Sequence, residues 1–159
     1  MRGIKEGAIG VVSDTHGRMR EAVVKKLARC ELIIHAGDIG DEAVLDQLRG
    51  ISRVIAVKGN VDHGIWSTGL KEAEYINFHE HHIFVIHNID ELERHRPPAE
   101  IDVLIYGHSH RASTRYKDGV LYLNPGSAGP KRFDLPPSIA YVQLVHGQLT
   151  AEIVPIDED

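Results

Sequence analysis

Four short polar segments, each closing an apolar run, constrain this chain more than any other feature. They are Asp14-Thr15-His16, Gly37-Asp38, Gly59-Asn60 and Gly107-His108-Ser109-His110. Each carries side chains able to ligate a metal ion, and each follows a strand-like stretch. His87, directly after Ile83-Phe84-Val85-Ile86, belongs with them. In an open α/β sheet, ligands collect beyond the carboxyl ends of the strands. Residues far apart in sequence are therefore expected to converge at one sheet edge, and the simplest shared purpose is a two-metal site.

The apolar runs give the frame. Residues 8–13, Leu32 to His35 and Arg53 to Val57 read as strands, with amphipathic helices over residues 20–29 and from Asp41 to Leu48 between them. Asp41 is the expected N-cap of the second helix. This β-α-β-α-β alternation implies parallel strands joined by right-handed crossovers. The second half reads differently. Tyr75 to Phe78 and Ile83 to Ile86 flank a polar, His-rich turn, and Val103 to Tyr106 is a further strand. Asp118-Gly119 and His146-Gly147 each separate two alternating runs, the pattern of tight hairpins. The expected architecture is α/β, with two mixed sheets packed face to face and flanking helices. Gly64 to Leu70 and Gly126 to Pro137 are the least regular stretches.

Bulk properties narrow the functional classes. The chain of 159 residues is expected to form a single domain over residues 1–159. A net charge of −5 argues against a long nucleic-acid partner, which would favour excess Lys and Arg. It does not exclude a nucleotide-sized ligand held by metal ions, because the ions supply the positive charge. No run approaches membrane-spanning length, no signal-peptide core is evident, and the lone Cys30 has no internal disulfide partner. The expectation is a cytoplasmic protein without a membrane partner.

The side-chain chemistry suits divalent metals with mixed oxygen and nitrogen donors, and the motifs contain no thiolate. His108 and His110 are two apart, so an extended turn sends both to the same side. Read alone, Asp14 is a helix N-cap, His16 a surface imidazole, Asp38 and Asn60 turn residues, and His87 a core histidine. Only Gly107-His108-Ser109-His110 is specific by itself; it is the ordered set that argues for a metal centre. His79, His81 and His82 fall outside that set and read as solvated imidazoles at a strand end.

Ser13-Asp14-Thr15-His16-Gly17, Gly37-Asp38-Ile39, Gly59-Asn60, His87 and Gly107-His108-Ser109-His110 together resemble the calcineurin-like metallophosphoesterase superfamily. Asn124-Pro125-Gly126-Ser127 resembles a further segment of its small single-domain phosphodiesterase branch. The resemblance spans residues 8 to 145. It implies a four-layer α-β-β-α sandwich and a ligand set. Asp14, His16 and His110 would hold one metal, Asn60, His87 and His108 the other, and Asp38 would bridge them. Manganese comes first among the expected cofactors, with Ni²⁺, Fe²⁺, Co²⁺ and Zn²⁺ as alternatives. The implied reaction is hydrolysis of a small phosphodiester by a hydroxide bridging two metals. Asp38 and Asn60 are then catalytic as well as metal-holding.

Two positions depart from the family pattern. Larger members carry a histidine after the Asn, as general acid; here Val61 and Asp62 follow, and His63 is the nearest candidate acid. Asn88 stands after His87 where glycine is usual, either narrowing the approach to the second metal or lining the pocket. Arg18, Lys131 and Arg132, with Asn60, are candidate phosphate contacts. Three competing roles stay open: a phosphomonoesterase, a nucleotide phosphohydrolase, and a non-catalytic scaffold of the same fold, which the retromer subunit resembles. Exposed hairpin edges of the second sheet leave room for a homodimer.

Overall fold

The computed structural model describes residues 7–131 and 135–156. The first sheet contains β1 (Ile9–Val12), β2 (Leu32–His35), β3 (Arg53–Ala56), β9 (Ser138–Val145) and β10 (Gln148–Pro155), in the order β10-β9-β1-β2-β3. The second contains β4 (Ala73–Phe78), β5 (His81–Ile86), β6 (Val103–Ile105), β7 (Ser113–Lys117) and β8 (Val120–Asn124), in the order β4-β5-β6-β8-β7. Strands β1, β2 and β3 run parallel, as do β5, β6 and β8, while the outer hairpins pair antiparallel. Both sheets are therefore mixed. Helices α1 (Glu21–Leu27) and α2 (Glu42–Arg49) are the crossovers of the first sheet.

Alternation along the strands builds the layers. Ile9, Val11, Leu32, Ile34, Ala140 and Val142 face the second sheet, where they meet Ile83, Val85, Val103, Ile105, Leu121 and Leu123 in the central core. Their neighbours Val12, Ile33, Ile139 and Tyr141 face outward onto Val23 and Leu27 of α1 and Val44, Leu45 and Leu48 of α2. Gly10 permits that closeness, because a Cβ there would collide with Leu27 Cδ2. On the other outer face, Phe84, Ile86 and Leu104 are covered by Ile89, Leu92 and Ile101. That fourth layer is thin: it holds a 3-10 turn at Ile89–Glu91 where the first sheet has two α-helices.

The local chemistry matches the elements. Asp41 caps α2, its side chain accepting from the Ala43 N–H at 3.0 Å. Asp118 and Gly119, at φ of 52° and 81°, and His146 and Gly147, at 51° and 79°, form the two hairpin turns with both central residues left-handed. No helix among the described residues is long and apolar enough to cross a membrane.

Candidate metal centre

Parallel strands deliver the candidate side chains to one edge of the sandwich. Asp14 and His16 follow β1, Asp38 follows β2, Asn60 follows β3, His87 follows β5, and His108 and His110 follow β6. The backbone there is unusual. Asp14, His16, Asp38, His108 and His110 all have positive φ, between 48° and 73°. A non-glycine residue in this region costs on the order of 1–3 kcal/mol and persists only where its surroundings impose it.

Two groups of donors result. Atoms of Asp14, His16 and His110 lie within 4.8 Å of one another, as do atoms of Asp38, His87 and His108. Asp14 Oδ1 sits 3.6 Å from His110 Nε2, 3.9 Å from His16 Nε2 and 4.0 Å from His87 Nε2. These separations are too long for hydrogen bonds. They are the spacing of donors that share an ion at about 2.0–2.2 Å from each. Asp14 Oδ1 is buried and has no hydrogen-bond partner among the described residues. Leaving a buried carboxylate oxygen bare is costly, so the residues present fit a divalent cation.

Each acidic side chain has one oxygen tied to the protein and the other turned to the centre. Asp14 Oδ2 accepts from the Ser13 hydroxyl at 2.7 Å and the His108 N–H at 3.2 Å. Asp38 Oδ1 accepts from the Val61 N–H at 3.1 Å. Asp38 Oδ2 lies 3.7 Å from His16 Nε2 and 3.3 Å from His87 Nε2, touching one histidine from each group. The His87 ring is oriented through its far nitrogen, where Nδ1–H donates to the Ala36 carbonyl at 2.7 Å. Gly37 makes room for that ring, since a Cβ there would stand 2.6 Å from His87 Nδ1.

A second tier of residues braces these loops, and inspection of the motifs alone passes over most of it. Asp62 is 2 % exposed. Its carboxylate accepts from Gly59 N–H at 2.8 Å, Gly40 N–H at 2.9 Å and Ile39 N–H at 3.2 Å. It thereby joins the loop bearing Asp38 to the loop bearing Asn60. His35 is wholly buried; its Nδ1 accepts from Gly37 N–H at 3.0 Å, so its Nε2–H donates to Thr15 Oγ1 at 3.0 Å. Thr15 in turn donates to the Ile39 carbonyl at 2.9 Å. Asn124 donates to the Gly107 carbonyl and to Ser109 Oγ, and Ser127 donates to the Asp14 carbonyl. The one available signal was polar type within an apolar run, which holds for His35 and not for Asp62.

Charge is arranged accordingly. Burial raises the Asp14 carboxyl to about 6, against the opposing charge of His87 and the Ser13 hydrogen bond. Burial also acts to raise Asp38, but contact with His87, the Val61 N–H and the charge of His16 outweigh it and hold that carboxyl below the usual range. Burial acts to lower His87, and Asp38 and Asp14 outweigh it, so the imidazole is raised. Burial lowers His35 to about 3, which keeps it neutral.

Other expected residues stand further from this geometry. Asn60 is exposed in the loop after β3, and His63 is exposed with its imidazole hydrogen-bonded to none of the described residues. Arg18 and Lys131 are exposed, while Arg132 lies outside the described residues. Asn88 caps the 3-10 turn, its Oδ1 accepting from the Asp90 N–H at 3.0 Å. That helps explain why a residue larger than glycine stands there. His79, His81 and His82 lie at the opposite edge and are more engaged than solvated imidazoles. His79 pairs with Glu31 at 3.0 Å, His81 lies 3.7 Å from Asp102, and His82 stacks on Tyr75.

Residues 8–147 match the family described as the calcineurin-like phosphoesterase superfamily domain. A probable metallophosphoesterase of Methanocaldococcus jannaschii is 36% identical, over 94% of this chain and 82% of its own. A phosphodiesterase of the same organism is 30% identical, over 74% of this chain and 82% of its own. Among solved structures, Vps29 of Entamoeba histolytica superposes with a TM-score of 0.72 at 25% identity, covering 94% of this chain and 99% of that one.

Proposed function

Because this chain belongs to the calcineurin-like phosphoesterase superfamily, we propose that it is a two-metal phosphodiesterase acting on small phosphodiesters. Asp14, His16 and His110 hold one divalent ion, and His87, His108 and Asn60 hold the other. Asp38 would serve both. The observation that carries this reading is the position of Asp38 Oδ2, 3.7 Å from His16 in one group and 3.3 Å from His87 in the other. Mixed oxygen and nitrogen donors do not discriminate sharply among divalent ions, so metal availability decides, and manganese is the first metal to test.

When bound, two such ions supply positive charge to phosphoryl oxygens and acidify water. The protein's own contribution is preorganisation. Ser13 and the His108 N–H fix which oxygen of Asp14 faces the centre, and the Ala36 carbonyl fixes which nitrogen of His87 does. Asp62 and His35 hold the supporting loops in strained conformations without contributing a ligand. The position next to Asn60 that would carry a general acid is Val61, 42% exposed and unable to donate a proton. His63 is the remaining candidate, and it stands in solvent. Substrates whose leaving oxygen needs no proton are therefore favoured.

A scaffold role is the weaker reading. Asp14 with a bare buried oxygen, among three histidines, is an expensive arrangement for a surface that only docks another protein. The test is hydrolysis of an aryl phosphodiester and an aryl phosphomonoester by metal-stripped protein, restored with Mn²⁺, Ni²⁺, Zn²⁺ or Mg²⁺ singly, beside Asp38→Asn. Metal-restored diester cleavage that is lost in Asp38→Asn supports the reading. Folded protein inactive on both esters under every metal would overturn it.

A further inference from the structure

A cavity of about 440 Å³ opens between the tips of β7 and β10, beside the metal centre. That size falls in the range of about 300–1,000 Å³ usual for small-molecule sites. Its walls include Ala112, Leu135, Pro136, Ile153 and Pro155. The two prolines bring no backbone N–H. Ser138 also borders it, but its hydroxyl is already committed to the Pro125 carbonyl at 2.6 Å. Arg111 borders it as well and is exposed to solvent. Away from Arg111 and Ser113, a sugar or a charged group would find few partners along this lining, whereas a carbon ring would displace water from carbon.

His110 connects the cavity to the chemistry. It borders the cavity, and its Nε2 lies 3.6 Å from Asp14 Oδ1. Cavity and centre thus share one residue. Strand direction explains the arrangement. β10 runs parallel to β1, so its end at Pro155 reaches the same edge as Asp14; β7 starts there, three residues after His110.

We propose that this cavity binds an apolar, ring-sized ester substituent of the phosphodiester while the phosphate sits at the metal centre. The inference rests on the phosphodiesterase reading and assigns its substrate class: diesters with at least one aromatic or comparably apolar substituent. Residues 112, 135 and 153 then select the substituent and take no part in bond cleavage.

The test compares two diesters with the same 4-nitrophenolate leaving group, phenyl 4-nitrophenyl phosphate and methyl 4-nitrophenyl phosphate, on manganese-loaded protein. With the leaving group constant, only the retained substituent differs. Wild type is expected to prefer the phenyl diester in kcat/KM by about tenfold or more, mainly through KM. Ala112→Phe, which narrows the cavity, and Leu135→Asp, which makes it polar, should each erode that preference several-fold. Independently, diphenyl phosphate added to the Zn²⁺-loaded protein, which is diamagnetic, should shift the methyl NMR signals of Leu135 and Ile153. Equal kcat/KM for the two diesters in wild type, a preference undiminished in both variants, or unmoved methyl signals at millimolar diphenyl phosphate would each overturn the inference. Cleavage of neither diester would instead overturn the phosphodiesterase reading beneath it.

Discussion

His87 and Asp38 approach to 3.3 Å between Nε2 and Oδ2, while the other His87 nitrogen donates to a backbone carbonyl. Without metal the pair is a buried ion pair, with the imidazole raised and the carboxyl depressed. A divalent cation at this place must take over the Nε2 lone pair, so the imidazolium proton has to leave. Metal binding near neutral pH is therefore expected to release the His87 proton, on the order of one proton in all from this pair. Titration calorimetry in buffers of different ionisation enthalpy reads that number directly. A proton count of zero at pH 6.5 would contradict the assignment of His87 as a ligand.

Asp14 makes the metal-free protein sensitive to pH in the opposite sense from an ordinary carboxylate. Its folded value of about 6 lies above the unfolded 3.8. The folded state therefore holds the proton more tightly in that window. Stability from this group is full below about pH 4 and is lost as pH rises through about 6, an effect on the order of 2–3 kcal/mol. Asp14→Asn should thus raise the melting temperature of metal-free protein at pH 7.5 and flatten its pH dependence, while weakening stabilisation by added Mn²⁺. Melting curves with and without EDTA across pH 5 to 8 check both halves.

His35 should stay neutral well into acid. Burial lowers it to about 3, and Gly37 N–H holds its Nδ1 as an acceptor. Its stabilising contribution is present above the unfolded 6.5 and is lost as pH falls toward 3. Nitrogen-15 NMR should find the Nε2–H tautomer at pH 5, where an exposed imidazole is protonated. Thr15→Val removes the acceptor of that proton and should cost about 1–3 kcal/mol, read from denaturant unfolding.

Asp62 separates positioning from ligation. It hydrogen-bonds no candidate ligand side chain among the described residues and accepts three backbone N–H groups from the two loops that carry Asp38 and Asn60. Asp62→Ala strands buried donors and should cost about 3 kcal/mol or more in stability. Metal affinity should fall with it. Asp62→Asn keeps one acceptor oxygen and should retain part of both. If Asp62→Ala melts like wild type, the brace is not what holds the loops.

Leaving-group dependence tests the missing acid. General acid catalysis typically contributes about 10²–10⁴-fold. Alkyl diesters should therefore lag aryl diesters by a margin of that order. His63→Ala should change aryl diester turnover by less than about threefold. A steep His63→Ala loss confined to alkyl esters would instead make His63 the acid.

Much of this fold could be read along the chain because the forces that set it are local or periodic. Apolar runs in β1, β2, β5 and β6 announced buried strands, but because both faces are apolar they did not announce which side chains enter the central core. Asp41 and the Asp118-Gly119 turn acted through neighbours two or three residues away. The convergence of the loops that carry the candidate ligands was legible because parallel strands must end at a common edge. Even so, the motifs announced only that Asp14, Asp38 and the histidines would meet, not which oxygen or nitrogen of each would face inward.

What only the tertiary structure decided is whatever depends on partners distant in sequence. Asp62 in isolation is a polar loop residue; it becomes a brace because Ile39 and Gly40 lie more than twenty positions upstream and fold against it. The thin outer cover of the second sheet and the cavity beside His110 depend on how edge strands of separate sheets stack. Periodicity assigns a residue to a face because side-chain direction repeats within one element. It carries no term for the approach of two elements that do not share a backbone, so composition and spacing determined the chemistry at the edge while packing determined its geometry.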